Sequence, residues 1–168
     1  MSRRKPFFSF SLKQIMFVLI APILLASCAT SAPLGIGYDS LGQPIYLSSP
    51  NELQETLKKW VDPDSSYWQS DEAKIKYLVK RVRITKLRLM RNDIRYRGPQ
   101  GARFLKYKRT HPRWSYQIEN AQDFVSVICR GSSTSGRPYE IIFPDGSHHN
   151  FQPIMQNELN QLEAYLNR

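Results

Sequence analysis

Apolar residues recur at the spacing of an α-helix in five segments of this chain. A residue type that favours a helix start opens each segment, either Ser or Asn as an N-cap or Pro in the first turn. Gly or Pro follows several of them, as is typical where helices end. The spacing predicts helices over residues 49–60, 70–85, 98–111, 120–130 and 153–166.

Apolar and polar residues alternate in two other stretches, a pattern typical of β-strands. The first surrounds Asn92 and Asp93 and predicts a strand or hairpin there. The second, residues 137–151, has a Pro-Asp-Gly turn between two apolar stretches and predicts a β-hairpin. The chain is therefore predicted to be α+β, a mainly helical single domain over residues 49–168 with a small β-hairpin before the C-terminal helix.

A short apolar run near the N-terminus predicts export. Basic residues precede residues 15–25, a run that is too short for a comfortable membrane span. The run ends in Leu-Ala-Ser-Cys, which resembles the lipobox of bacterial lipoproteins, where the Cys thiol is diacylated and becomes the mature N-terminus. Residues 1–27 are predicted to be a signal peptide and Cys28 the lipidated residue. Ala29, where Asp would resemble an inner-membrane retention signal, indicates the periplasmic face of the outer membrane. The alternative to the lipoprotein signal is an uncleaved anchor helix in which the Cys is incidental.

Residues 28–48 are predicted to be the lipidated N-terminus and a flexible tether. From residue 29 to 48 there are three Gly, two Pro and one charged residue, and no helical period. Fully extended, such a segment reaches at most about 70 Å. Its apolar residues leave open a second interpretation, in which part of it docks as an added strand on a partner.

Charge is unevenly distributed along the chain. The whole sequence has 24 Lys plus Arg and 14 Asp plus Glu, and residues 74–113 contain fifteen of the cations with a single acid, Asp93. Concentrated like charge is self-repulsive, so its presence favours a docking surface for an acidic partner. The alternative is that acidic segments of the same chain neutralise it. Nucleic acid is not expected as a partner of an exported protein. The candidate partner-binding residues are Arg91, Arg95, Arg97, Arg103 and Lys106.

Short motifs run through residues 84–146. They comprise Ile84, Thr85, Leu89, Met90, Arg91, Asn92, Tyr96, Ala102, Leu105, Lys108, Ala121, Asp123, Phe124, Ser132, Ser133, Ser135, Gly136, Pro138, Tyr139, Asp145 and Gly146. The pattern resembles a family of small bacterial envelope proteins whose domain has no assigned function, and its most specific part is the Ser-rich segment. Leu87, Asp93 and Phe104 stand where that family tends to have Cys, Gly and His. The resemblance implies a helix-rich envelope domain and transfers no activity.

Candidate chemistry is sparse, and no catalytic residues are assigned. Backbone amides around Ser132, Ser133, Ser135 and Gly136 are a candidate anion site. The alternative is a helix-terminating loop whose hydroxyls bond to their own backbone. The two His residues at 148–149 are adjacent and point to opposite faces of a strand, so no metal site and no cofactor are predicted.

Cys129 falls on the apolar face of a predicted helix and is expected to be buried and inert.

Three hypotheses of function follow, in order of preference. The first is a non-enzymatic outer-membrane lipoprotein that docks a protein with an acidic surface, as an accessory subunit of an envelope-spanning assembly such as a secretion system. The second is a binding module for anionic envelope polymer or lipid headgroups. The third is an enzyme directed at the cell wall. No small-molecule substrate is predicted.

Overall fold

The computed structural model describes residues 37–168 and contains the five predicted helices and both hairpins. It adds a short helix, Pro112–Ser115, and the predicted helix over residues 120–130 is a short α-helix continued by a π-helical turn. The predicted signal peptide and Cys28 lie outside the described residues. The elements are α1 (Pro50–Trp60), a 3₁₀ turn (Ser66–Gln69), α2 (Asp71–Ile84), β1 (Arg88–Arg91), β2 (Ile94–Arg97), α3 (Gly98–Thr110), α4 (Pro112–Ser115), α5 (Ala121–Asp123) with a π-helical turn (Phe124–Ile128), β3 (Glu140–Ile142), β4 (His148–Asn150) and α6 (Phe151–Leu166). The α+β fold class is confirmed.

Side-chain caps begin the helices where the sequence predicts them. The Ser49 hydroxyl accepts a hydrogen bond from the Glu52 amide, and the Ser70 hydroxyl accepts one from the Ala73 amide, the third of α2. Asn120 caps α5 in the same way. One boundary differs from the prediction, because α6 begins two residues before Pro153. Proline is tolerated there, since amides of a first helical turn have no partner within the helix.

The two hairpins join into one antiparallel sheet in the order β2-β1-β3-β4. Asn92 and Asp93 have φ values of 50° and 64°, so the first hairpin turns through two left-handed residues. The pairing of β1 with β3, in which Met90 lies opposite Glu140, connects the hairpins and was not predicted. This pairing places the outer hairpin, β1 and β2, beside the chain that leads into α6.

The core lies between the helices and one face of the sheet. Leu89 of β1 packs on α3 beside Gly101, and Ile141 of β3 is fully buried on the same face. Helix α6 contributes a continuous apolar stripe to this core, made of Phe151, Ile154, Met155, Leu159 and Leu162. Cys129 is also fully buried, as expected, and its burial raises the pKa of the thiol.

Residues 37–48, called the strap below, correct the prediction of a flexible tether. The Asn157 side-chain amide donates to the carbonyl oxygens of Gly37 and Ile45 at 2.7 and 3.0 Å. The Leu47 amide donates to Glu158 Oε1 at 2.9 Å, and its side chain is buried. The strap is therefore folded onto α6, because polar side chains of that helix bind its backbone.

Candidate functional site

Most cations of the basic segment 74–113 have no carboxylate partner. Four of its fifteen Lys and Arg form ion pairs, namely Lys74 with Glu163, Lys76 and Arg109 with Glu72, and Arg81 with Glu158. The other eleven have no carboxylate within 4 Å among residues 37–168, and every acid of the chain falls in that range. Internal neutralisation thus accounts for the smaller part of this charge.

Five of these cations line a groove between α2 and α3. Lys76, Lys80 and Arg83 recur along one face of α2, and Arg103 and Lys106 recur along one face of α3. Residues three or four apart share a helix face, which is why local spacing aligns them. The groove has a volume of about 510 Å³, and no Asp or Glu lines it. It is floored by Val79, Pro99 and Ala102.

The five cations of the groove differ in how firmly neighbouring groups hold them. The Lys80 ammonium lies 3.4 Å from the centroid of the Trp60 ring, a cation–π contact that keeps the charge at the rim. Lys76 is 3.6 Å from Glu72, and both side chains are about half exposed, so this pair is weak. The remaining three, Arg83, Arg103 and Lys106, have no carboxylate within 4 Å in the described part of the chain. These three are the charges available to a partner.

The predicted partner-binding residues occupy three places. Arg103 and Lys106 lie in the groove, whereas Arg95 and Arg97 lie on the outer face of the sheet. Arg88 is directly opposite Arg97 on that outer face. A like-charged cross-strand pair is unfavourable unless an anion or solvent screens it.

Arg91, a third predicted partner-binding residue of the sheet, lies apart from Arg95 and Arg97. Side chains alternate between the faces of a strand, and the β1–β2 register puts Arg91 on the core face with Leu89. The Arg91 guanidinium carbon lies 4.3 Å from the centroid of the Phe104 ring, and its Nε is buried with no hydrogen-bond partner among the described residues. Arg91 therefore belongs to the interior edge of the sheet.

The candidate anion loop uses its donors internally. The Ser132 hydroxyl, 4% exposed, accepts from Asn92 Nδ2 at 3.3 Å and from the amides of Thr134 and Ser135 at 3.4 and 3.5 Å. The Gly136 amide donates to the Ser132 carbonyl at 2.8 Å. The loop therefore matches the alternative interpretation, a helix-terminating loop bonded to itself, and Ser133 is exposed at its outer side.

The sequence profile of a family of unknown function, DUF5329, matches residues 69–163. The chain belongs to this family. The match spans more than half of the chain and runs from the start of α2 into α6, so it includes both walls of the groove and the whole sheet. It leaves the strap outside. No curated protein and no solved structure matches the chain.

Lys108 is a buried cation of the DUF5329 domain that sequence reasoning missed. Its ammonium donates to the carbonyl oxygens of Val127, Ile128 and Gly131 at 3.1, 3.0 and 2.9 Å, and so caps the end of the π-helical turn. Burial lowers the pKa of Lys108 to about 8, and the nearby Arg91 charge acts in the same direction. The local signal that could have indicated its burial is its helical spacing from Ala102 and Leu105, which lie on the same buried face of α3.

A second buried cation of the domain, Arg81, is paired. Its Nε and Nη2 donate to the two carboxylate oxygens of Glu158 at 2.7 and 3.1 Å, and Nη2 also donates to Ser48 at 2.7 Å. Burial opposes the charged form of Arg81, but the hydrogen bond and charge of Glu158 hold its pKa above the ordinary value. The pair joins α2, α6 and the strap.

The two histidines lie on opposite faces of β4, as strand alternation requires. His148 Nδ1 is 2.8 Å from Glu140 Oε2, and His149 Nε2 is 3.2 Å from the Ser147 hydroxyl. Over residues 37–168 no three His, Cys, Asp or Glu side chains are close enough to hold a metal ion. Within the same range, no helix combines the length and the apolar character needed to cross a membrane.

Proposed function

We propose that this protein is a lipid-anchored interaction subunit of the outer membrane, whose α2–α3 groove docks an acidic, amphipathic segment of a protein partner. The observation that carries the proposal is the groove itself, with five cations on its walls, an apolar floor and no acidic residue lining it. The apolar run ending at Cys28 supports export and lipid anchoring. The role is one of interaction rather than catalysis.

The spacing of the groove cations suits a helical ligand. Lys76, Lys80 and Arg83 lie along about 10 Å of α2, since a helix rises about 1.5 Å per residue. A partner helix with carboxylates three or four residues apart presents acids at the same interval, with apolar side chains between them. Arg83 and Arg103 can each grip a carboxylate through two parallel hydrogen bonds. Such a ligand also covers the apolar floor, which a flexible polyanion does not.

Co-purification from detergent-solubilised envelopes tests the proposal. The groove variant carries Arg83→Glu, Arg103→Glu and Lys106→Glu, and we expect it to lose the partner that the wild type retains. The matched control changes three cations on the outer sheet face, Arg88→Glu, Arg95→Glu and Arg97→Glu. Both variants alter net charge equally, so a difference between them reports on location. Partner loss in the sheet variant, with retention in the groove variant, would move the docking site to the sheet and refute the groove.

Salt dependence separates a protein partner from an anionic polymer. Binding to a polyanion falls log-linearly with salt because counterions are released. At roughly 0.5 M salt the Debye length is only a few ångströms, so an interface without apolar contacts is lost there. We expect the wild-type complex to survive this wash. Complete release would favour the polymer-binding hypothesis.

A further inference from the structure

A second cationic pocket lies between α4, the π-helical turn and the Ser-rich loop. It has a volume of about 470 Å³ and is lined by Lys108, Arg113 and Arg130 together with Trp114 and Tyr116. No Asp or Glu lines it. The volume is in the range of small-molecule sites, and the absence of acids leaves three positive charges without a counter-ion in the described part of the chain.

The side chains at the mouth of this pocket suit a membrane surface. The Arg113 guanidinium carbon lies 5.5 Å from the centroid of the Trp114 ring, and Tyr116 is 73% exposed. Trp and Tyr are enriched at the headgroup level of bilayers, because their rings are apolar with a polar edge. Arg binds phosphate through a planar pair of donors. Arg130, which also lines the pocket, is exposed.

The pocket adjoins the surface on which the N-terminal end of the strap lies. Arg130 and Gly136 line it and also line a smaller hollow that includes Pro153 at the start of α6. Gly37, where the described part of the chain begins, packs so closely on Pro153 that an added Cβ would lie 2.6 Å from the proline Cβ. The pocket and the N-terminal end of the strap are therefore on neighbouring surfaces.

The folded strap shortens the distance from the anchor to this surface. With residues 37–48 bound to α6, only the segment from Cys28 to Gly37 separates the lipidation site from the domain. That segment reaches at most about 30 Å even when fully extended. A domain held on so short a segment stays close to the bilayer.

We infer that the pocket of Arg113, Trp114 and Arg130 binds the phosphate of an anionic lipid headgroup in the membrane to which Cys28 is attached. The inference rests on the lipid anchor of the proposed function, but not on the groove. Lys108 lines the pocket, but its ammonium protons are bound by three backbone carbonyls, so it contributes charge rather than a hydrogen bond. The headgroup contact fixes the orientation of the domain on the membrane and leaves the groove for a partner.

Fluorescence quenching tests the inference with the native lipidated protein. The protein is placed in phosphatidylcholine vesicles with or without phosphatidylglycerol, each containing a spin-labelled lipid that quenches nearby tryptophan. Subtracting the signal of Trp114→Phe isolates Trp114 from Trp60 and Trp68. We expect strong quenching of Trp114 only with phosphatidylglycerol.

Two double variants, each of which changes the net charge by the same amount, show which surface contacts the lipid. Arg113→Glu with Arg130→Glu should lose the phosphatidylglycerol-dependent quenching, whereas Arg95→Glu with Arg97→Glu on the sheet should retain it. Equal quenching of Trp114 in the two vesicle types, or equal loss of quenching in both variants, would show that the pocket does not bind the headgroup.

Two further measurements identify the source of phosphate and separate this inference from the anchor. The first adds inorganic phosphate to the phosphatidylglycerol vesicles. If phosphate abolishes the quenching of Trp114, the pocket binds the free ion as well as it binds the lipid, and the lipid assignment is overturned. The mass of the N-terminal peptide reports acylation of Cys28 independently. An unacylated Cys28 would overturn the anchor, and with it the inference, whereas an acylated protein with no headgroup dependence would overturn the pocket alone.

Discussion

The two faces of α2 carry charge of the same sign but differ in burial and pairing. On the inner face Arg81 is 2% exposed and pairs with Glu158, which is fully buried. On the outer face Lys76, Lys80 and Arg83 are exposed along the groove. A cation removed from water needs a counter-charge with good geometry, whereas an exposed cation is solvated and screened. Charge on α2 is thus paired inside the fold, whereas outside it is exposed and, in the function we propose, meets a partner.

The largest expected loss of stability comes from removing the ion pair on the inner face of α2. In Glu158→Gln the Arg81 guanidinium stays buried without a counter-charge, and we expect a loss of about 3–5 kcal/mol in the free energy of unfolding. Urea denaturation monitored by tryptophan fluorescence measures this loss.

The control for this variant is Glu163→Gln, which removes the partly exposed partner of Lys74. A partly exposed pair contributes less than about 1 kcal/mol. Similar losses in the two variants would show that burial of the Arg81 pair has no special importance.

The next effect concerns the strap that the inner face holds. Gly37 and Gly42 both have φ of 75°, but an added Cβ meets Pro153 only at Gly37, since nothing lies within 4 Å at Gly42. We expect Gly37→Ala to lose about 2–3 kcal/mol and Gly42→Ala about 1 kcal/mol. Hydrogen exchange at the Leu47 amide, which is bonded to Glu158, should accelerate only in Gly37→Ala. Equal exchange would contradict close packing of the strap on α6.

Lys108 can be compared with Arg81, because it too is a buried cation but has backbone carbonyls in place of a carboxylate partner. Lys108→Met leaves three backbone carbonyls without their donor, and we expect a loss of about 1–3 kcal/mol. The exposed neighbour Lys106→Met is the control and should change stability by less than about 0.5 kcal/mol. Indistinguishable melting temperatures would mean that water replaces the lysine as the cap.

The pH dependence of stability tests the same lysine. Its pKa is about 8 in the folded protein against 10.5 ordinarily, so between these values the unfolded chain binds more protons. Stability therefore rises with pH, by about 1 kcal/mol from pH 8 to pH 9, and Lys108→Met should lack this rise. Arg91, Cys129 and Tyr139 face the ammonium. Above pH 9 the raised pKa of Cys129 acts in the opposite direction, while Tyr139 titrates only near pH 12.

The smallest effect on stability is expected in the groove between α2 and α3. Reversing Arg83, Arg103 and Lys106 in the groove removes no ion pair and relieves like-charge repulsion, so we expect a change of less than about 0.5 kcal/mol. Thermal melts of the same variant used in co-purification measure it. A large loss of stability would show that these cations stabilise the fold and are not reserved for a partner.

Local order was predictable from the sequence because its causes are local. The side chains of Ser49, Ser70 and Asn120 each accept a hydrogen bond from the amide three residues later and so cap a helix. The residues of each hairpin turn likewise adopt the backbone conformation that reverses the chain. The apolar period around Cys129 likewise predicted its burial. The candidate site was predictable only in part, since Arg103 and Lys106 were singled out but the α2 wall of the groove was not.

The sequence by itself determined the helices, the hairpins, the α+β class and the concentration of positive charge in residues 74–113. Tertiary structure decided which of those charges remain free. Lys80 and Arg81 are adjacent and alike in the sequence, and only Glu158, far along the chain on α6, separates their roles. Tertiary contacts likewise decide the pairing of β1 with β3, the face of the sheet on which Arg91 lies, and the binding of the strap to Asn157. Each depends on contacts between residues distant in the chain, and such contacts leave no periodic signal in the sequence around either partner.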